Sequence, residues 1–455
     1  MMVKQTRIVA AIPAACRLRW LLLSALVLPP SLPAVAMQAA VNGPERSPGV
    51  LLAQAPAAAG KGIPAEVQGW AAAAEAAAAK GDTATALRLQ KQVVAWLEAN
   101  RPAKDEFRAG ALLLLGLRLA ADGRGQEALA PTEDGLKISR ELPKANPAFK
   151  SLLGISLTSL GAVLYSLGRR QEALAPAEEA VKVFRELAKS NQVLRRALGA
   201  SLMSLGKVLF DLGRFQEAQA ATEEAIEIQR ELAKTNPAVL PDLAASLTNL
   251  GNRYSYLGRR QEALAPTEEA VKIRRELAKT NPALLPDLAA SIQDLGIHYS
   301  ALGRLQEALA PTEEAVKIYR ELAKTNPASL PDLARSLINL GFRYSDLGRR
   351  QEALAPTEEA VKLYRELAKT NPAFLSNLTD SLDNLGNRYS ELGRRQEALA
   401  PAEEALKIRR ELAKTNPAVL PNLARSLTNL GIRYSELGRR QEGLAPTEEA
   451  VKIYR

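Results

Sequence analysis

The sequence predicts an all-α solenoid, a stack of antiparallel helix pairs rather than one globular core. Three observations carry that prediction. First, Gln-Glu-Ala-Leu-Ala-Pro begins at Gln126, Gln171, Gln261, Gln306, Gln351 and Gln396, with altered copies at Gln216 and Gln441, so one unit recurs every 45 residues. A fixed period of this size means supersecondary units that bury their apolar faces only against their neighbours. Second, each unit holds two stretches with the apolar spacing of an α-helix. Third, 24% of the residues are charged and only 4% aromatic, which suits helices packed through small and aliphatic side chains and is far from the signature of disorder.

In chain order, residues 1–36 read as a secretory signal. Lys4, Arg7, Arg17 and Arg19 form its positive region and Trp20 to Leu28 its apolar core. Ala34-Val35-Ala36 has the small-x-small pattern of a cleavage site, so the cut is expected after Ala36. The chain is therefore expected to be exported, to the periplasm or the medium, with no stable membrane span after cleavage. The alternative, an uncleaved anchor, is disfavoured because the apolar run is well short of the ~20 residues that span a bilayer. Cys16, the single cysteine, lies in this leader and is given no role. Residues 37–63, rich in Ala, Gly and Pro, read as a disordered linker.

Around Gly251 the repeat unit can be read residue by residue. Leu243, Leu247, Leu250, Tyr254 and Leu257 form one apolar stripe, the first helix. Gly258 is placed to end that helix in the left-handed conformation. Arg259 to Thr280 forms the second helix, with Ala263, Leu264, Thr267, Ala270 and Val271 on a broad face and Glu268–Lys272 as an exposed i,i+4 pair. Asn281-Pro282 then starts the next first helix, although Pro286 leaves its true start open. Pro266 lies near the first turn of the second helix and is expected to bend it at most.

This unit resembles the tetratricopeptide repeat. The family's Leu-Gly pair, its aromatic three residues later, its Gly seven later and its Ala twelve and nineteen later correspond to Leu250, Gly251, Tyr254, Gly258, Ala263 and Ala270. The set recurs around Gly296, Gly341, Gly386 and Gly431, with Gly443 replacing the first Ala in the last, and more loosely around Gly116, Gly161 and Gly206. Residues 64–101, with Trp70, Gly81 and Ala86, resemble a degenerate N-terminal hairpin of the family, and 102–455 an array of eight units, the last incomplete. The family's usual unit has roughly 34 residues. The lengthened unit and the early proline look like the kinesin-light-chain subtype. The resemblance implies a right-handed α-α superhelical solenoid that binds protein or peptide on its concave face.

The near-identical late units provide an internal comparison. Their differences concentrate on the first helix at four positions relative to the glycine. Six before it stand Ala245, Ala290, Arg335, Asp380 and Arg425, and three before it Thr248, Gln293, Ile338, Asp383 and Thr428. One after it stand Asn252, Ile297, Phe342, Asn387 and Ile432, and five after it Tyr256, Ala301, Asp346, Glu391 and Glu436. The spacing places all four on one helical face, the face that in the family lines the groove. Two before the glycine is a near-constant amide: Asn249, Asn339, Asn384 and Asn429, with Asp294 in one unit. Such a ladder either pairs with an extended peptide backbone or ties neighbouring helices together.

Other functions find no support in the sequence. The net charge of +10 is interleaved with acids and shows no basic stripe with stacking aromatics, so nucleic acid is not expected as a partner. His298, the lone histidine, stands where sibling units have Arg, and without cysteine it makes neither a Cys/His pair nor a multi-histidine metal site. No glycine-rich phosphate loop is present, so neither a cofactor nor catalysis is expected. The expected function is a non-catalytic protein- or peptide-binding scaffold. The alternatives are the recognition arm of a larger enzyme or signalling protein, for example with a caspase-like peptidase domain, and a structural spacer. The last unit stops inside its second helix at Tyr454-Arg455. The expectation there is a longer chain, or a partner covering that end, with end-to-end self-association as one form.

Overall fold

The computed structural model describes residues 63–79, 82–100, 105–189, 191 and 194–454. The leader, its cleavage site, Cys16 and the Ala/Gly/Pro-rich stretch through Gly62 lie outside the described residues. Among the described residues every long element is an α-helix. The chain divides into two compact units, Met1–Ser246 and Leu247–Arg455.

The first unit contains α1 (Ala65–Ala79), α2 (Thr83–Asn100), α3 (Glu106–Ala121), α4 (Gly125–Glu141), α5 (Pro147–Ser166), α6 (Arg170–Ala188), α7 (Leu194–Asp211), α8 (Phe215–Ala233) and the start of α9 (Leu240–Tyr256). Its core threads between successive helices, with Leu157, Phe184, Leu194, Leu202 and Met203 fully buried. Only α5 is long and apolar enough among the described residues to cross a membrane, and most of it is buried in this unit. The second unit contains the rest of α9, then α10 (Leu264–Thr280), α11 (Leu285–Ala301), α12 (Leu305–Thr325), α13 (Leu330–Asp346), α14 (Arg350–Thr370), α15 (Leu375–Glu391), α16 (Leu399–Thr415), α17 (Leu420–Glu436) and α18 (Arg440–Tyr454). Each first helix packs on the second helix before it and the one after it, so the core is a chain of small clusters such as Val316, Tyr319, Leu333 and Leu337.

Local chemistry sets the boundaries. Gly258 sits at φ 78°, and its equivalents share that left-handed conformation, as expected for a residue that ends a helix without a Cβ. Asn281 accepts a bond from the Ala283 amide at 3.1 Å, but it caps a three-residue 3₁₀ turn, Pro282–Leu284, and α11 begins only at Leu285. Pro286 then falls in the first turn of α11, where its missing N–H costs nothing. The proline of the second helix lies inside α12 and α14 but marks the start of α10 and α16, where the preceding residues form turns. The expected Glu268–Lys272 ion pair does not form. Glu268 accepts instead from the Tyr299 hydroxyl of the next unit at 2.7 Å.

Candidate functional site

In the second unit each first helix crosses its own second helix at the glycine. The approach is close: a Cβ on Gly341 would come within 2.5 Å of Thr357 Oγ1 and 3.3 Å of the Ala353 carbonyl. This crossing fixes the rotation of the helix and therefore which side chains are covered. Leu247, Leu250 and most of their equivalents are buried toward the second helices, Leu295 only partly. The amide row two residues before the glycine turns the other way: Asn249 is exposed, and Asn339, Asn384 and Asn429 are half-buried. Among the described residues none of these four side chains makes a hydrogen bond within the chain. The reading in which each Asn ties a neighbouring helix therefore has no bond to stand on.

Asp294, the acid in that row, is half-buried and accepts a bond from Asn252 Nδ2 at 3.2 Å. Burial pushes its carboxyl above the usual aspartate range, against the Asn252 bond and the more distant Arg274 and Arg335. The acids five residues after the glycine are neutralised within the chain. Asp346 pairs with Arg343 at 3.2 Å, Glu391 with Arg388 at 3.0 Å and Glu436 with Arg433 at 2.9 Å. The hydroxyls of Ser345 and Ser390 donate to Glu391 and Glu436 from the preceding unit at 2.9 and 2.7 Å. Arg433 also donates to Asn387, and the Arg388 guanidinium lies 5.6 Å from the centre of the Phe342 ring. Tyr256 and Ile432 are exposed, while Ile297 is half-buried. Arg335 pairs with Asp332 at 2.7 Å, and Asp380 is held by Arg409 at 2.7 Å and by Arg425.

Three of the five positions three before the glycine depart from the expected open face, while Thr248 is half-buried and Thr428 exposed. Gln293 is 6% exposed and accepts from Ser336 Oγ, Asp383 is 8% exposed and bonds Arg409 at 2.6 Å, and Ile338 packs against a core cluster. Spacings of 3, 4 and 4 define a wide sector of a helix, and this row sits on its inner edge, between units. Its variation is matched by a row that the sequence reading missed, 23 residues after the glycine: Arg274, Tyr319, Tyr364 and Arg409. Thr248 and Ser291 meet Arg274; Asp383 and Ser426 meet Arg409. Tyr319 and Tyr364 instead are buried and reach the Pro286 and Pro331 carbonyls. The exchange of Arg for Tyr along this row was visible and would have signalled this coupling.

Two further rows of polar contacts recur, one within each unit and one between consecutive units. Arg259 stacks 4.5 Å from the Tyr254 ring centre, and Arg304, Arg349, Arg394 and Arg439 stack likewise on Tyr299, Tyr344, Tyr389 and Tyr434. Arg320 and Arg365 reach Glu359 and Glu404 of the following unit at 2.7 and 2.8 Å. No group of three or more His, Cys, Asp or Glu side chains among the described residues could hold a metal ion.

Comparison with known proteins fits this architecture. One family model described as tetratricopeptide repeat matches residues 197–276. A second of the same description matches 154–192, 288–328, 333–372, 378–417 and 423–455. No curated protein sequence matches the chain. The apo form of RapI shares 13% identity over 85% of this chain and 97% of its own, with a TM-score of 0.57. A signal transduction ATPase with numerous domains and a tetratricopeptide repeat sensor, from Pyrococcus horikoshii, shares 12% identity over 96% of this chain and 63% of its own, with a TM-score of 0.50. The nearly identical TPR-like repeats of a kinesin light chain candidate from Podosopora anserina share 26% identity over 49% of this chain and 99% of theirs, with a TM-score of 0.39. The repeat geometry and the two family models agree over most of the array, and the chain belongs to the tetratricopeptide repeat family.

Proposed function

We propose that this chain is a non-catalytic scaffold that binds an extended polypeptide along the first-helix face of the second unit. The observation that carries this reading is the asparagine row. Asn249, Asn339, Asn384 and Asn429 recur at the pitch of the stack, are accessible, and make no hydrogen bond within the chain. Each amide offers donors and an acceptor, the complement of a peptide unit in extended chain. Most of the other variable polar side chains on these helices already have partners within the chain, so they shape the surface more than they are free to grip a ligand.

Changing Asn339, Asn384 and Asn429 together to Ala tests the reading. A net ~1 kcal/mol for each hydrogen bond lost predicts a weakening on the order of 100-fold for a captured polypeptide. Helicity should persist, because Ala is the better helix former and no internal bond is removed. Unchanged binding would reject the face as the site. We also infer export from the leader residues alone. A mature N-terminus at Met37 in envelope or medium fractions is the expected result, and full-length cytosolic protein would overturn it.

A further inference from the structure

The unit around Gly296 breaks the pattern of its siblings in three coupled ways. The acid that the three following units carry five residues after the glycine is Ala301, the arginine two after it is His298, and a carboxylate appears instead in the amide row, at Asp294. In the units around Gly341, Gly386 and Gly431 the acid and the arginine neutralise each other at 2.9–3.2 Å. Here neither partner is present. His298 is 3% exposed, has no partner on either ring nitrogen, and burial pulls it down to about 4, so it supplies no positive charge at neutral pH. Among the described residues no Lys or Arg lies within ion-pair distance of Asp294, whose bond is to the neutral amide of Asn252. The ladder thus carries one carboxyl without a direct ion-pair partner, offset only by the more distant Arg274 and Arg335, in a place where burial already makes the charge costly.

Its surroundings suit a long basic side chain. Ile297 stands three residues on along the same helix, and exposed Tyr256 stands one turn beyond Asn252 on the preceding one. A lysine or arginine can lay its methylene stem along such apolar surface and present its head to a carboxylate.

We propose that the groove is specific for an extended polypeptide carrying a lysine or arginine in register with Asp294, the flanking asparagines holding its backbone. This proposal rests on the binding face assigned above and adds the chemistry of the residue it selects.

The test uses the full chain, its Asp294→Asn variant and the Asn339/Asn384/Asn429→Ala variant, each panned against one random phage-displayed peptide library. Asn is the residue that sibling units carry at this position, so Asp294→Asn keeps the fold, and circular dichroism checks it. Peptides retained by the full chain should share a basic residue at one fixed position. Replacing that residue by Ala should weaken binding on the order of 10-fold to the full chain, the scale of a charge-assisted hydrogen bond, and leave binding to Asp294→Asn unchanged. Retained peptides that bind through the asparagines but show no basic position, or lose equally on both proteins, would overturn the charge assignment alone. Retained peptides indifferent to the triple Ala change, or no retained peptide at all, would overturn the binding face and this proposal with it.

Discussion

His298 occupies a place where the sibling residues Arg343, Arg388 and Arg433 each find a carboxylate. With Ala301 in the acid's position no such partner exists, and a neutral imidazole is the form that the site accepts. Its lowered value, about 4 against an ordinary 6.5, makes it a source of pH-dependent stability. Between those values the unfolded chain binds a proton that the folded one refuses. Stability therefore rises with pH across the window and falls as pH drops from about 6.5 toward 4, at up to ~1.4 kcal/mol per pH unit. His298→Gln should remove that dependence. Urea midpoints of the two proteins, compared at pH 6.5 and pH 5, should diverge on acidification, the wild type losing about 1–2 kcal/mol more. Parallel loss would show that His298 is solvated. The sequence could reveal that the residue is unusual for its row. It could not reveal the burial, which depends on how closely successive first helices approach.

At the scale of the element, residues that look alike along the period separate into outward and inward rows only once the crossing at glycine sets the helix rotation. The left-handed glycines and the capping asparagines were legible because their chemistry is local. The 3₁₀ turns were not, because Asn-Pro serves a short turn and a helix start equally well. Glu268 shows the same limit. An i,i+4 partner is read from spacing, but a tyrosine hydroxyl 31 residues away is the closer match. Arg409 is the most consequential inward residue, 1% exposed and bound to both Asp380 and Asp383. Removing one member of a buried ion pair strands the other, so Arg409→Ala should cost about 3–5 kcal/mol. Combining Arg409→Tyr with Asp383→Ile installs the residues that the unit before carries at these two positions, Tyr364 and Ile338, and should recover most of that loss. Urea midpoints of the single and paired variants decide this. Penalties that merely add would mean that the two side chains are not coupled.

For the molecule as a whole, the 45-residue period made the class of fold and its nearest-neighbour packing legible without any structure. Each unit covers its neighbour with apolar surface. The exposed links between units, such as Arg320–Glu359 and Arg365–Glu404, add little individually, as surface ion pairs do. Half of the candidate site was legible for the same reason: the asparagine row stands out because it stays constant while its neighbours change. The other half depends on the folded arrangement, since pairing among the charged side chains decides which of them remain for a ligand. The account stands or falls on whether the unpaired asparagines meet polypeptide backbone. Side-chain amide NMR of protein labelled with ¹⁵N at asparagine, titrated with a captured peptide, observes that directly. Asn371 and Asn416, whose side chains already cap backbone amides at 3.0 and 3.1 Å, serve as internal controls. The account predicts large shifts and slowed exchange at Asn249, Asn339, Asn384 and Asn429 with the caps unmoved; shifts confined to other asparagines, or none on saturation, would contradict it.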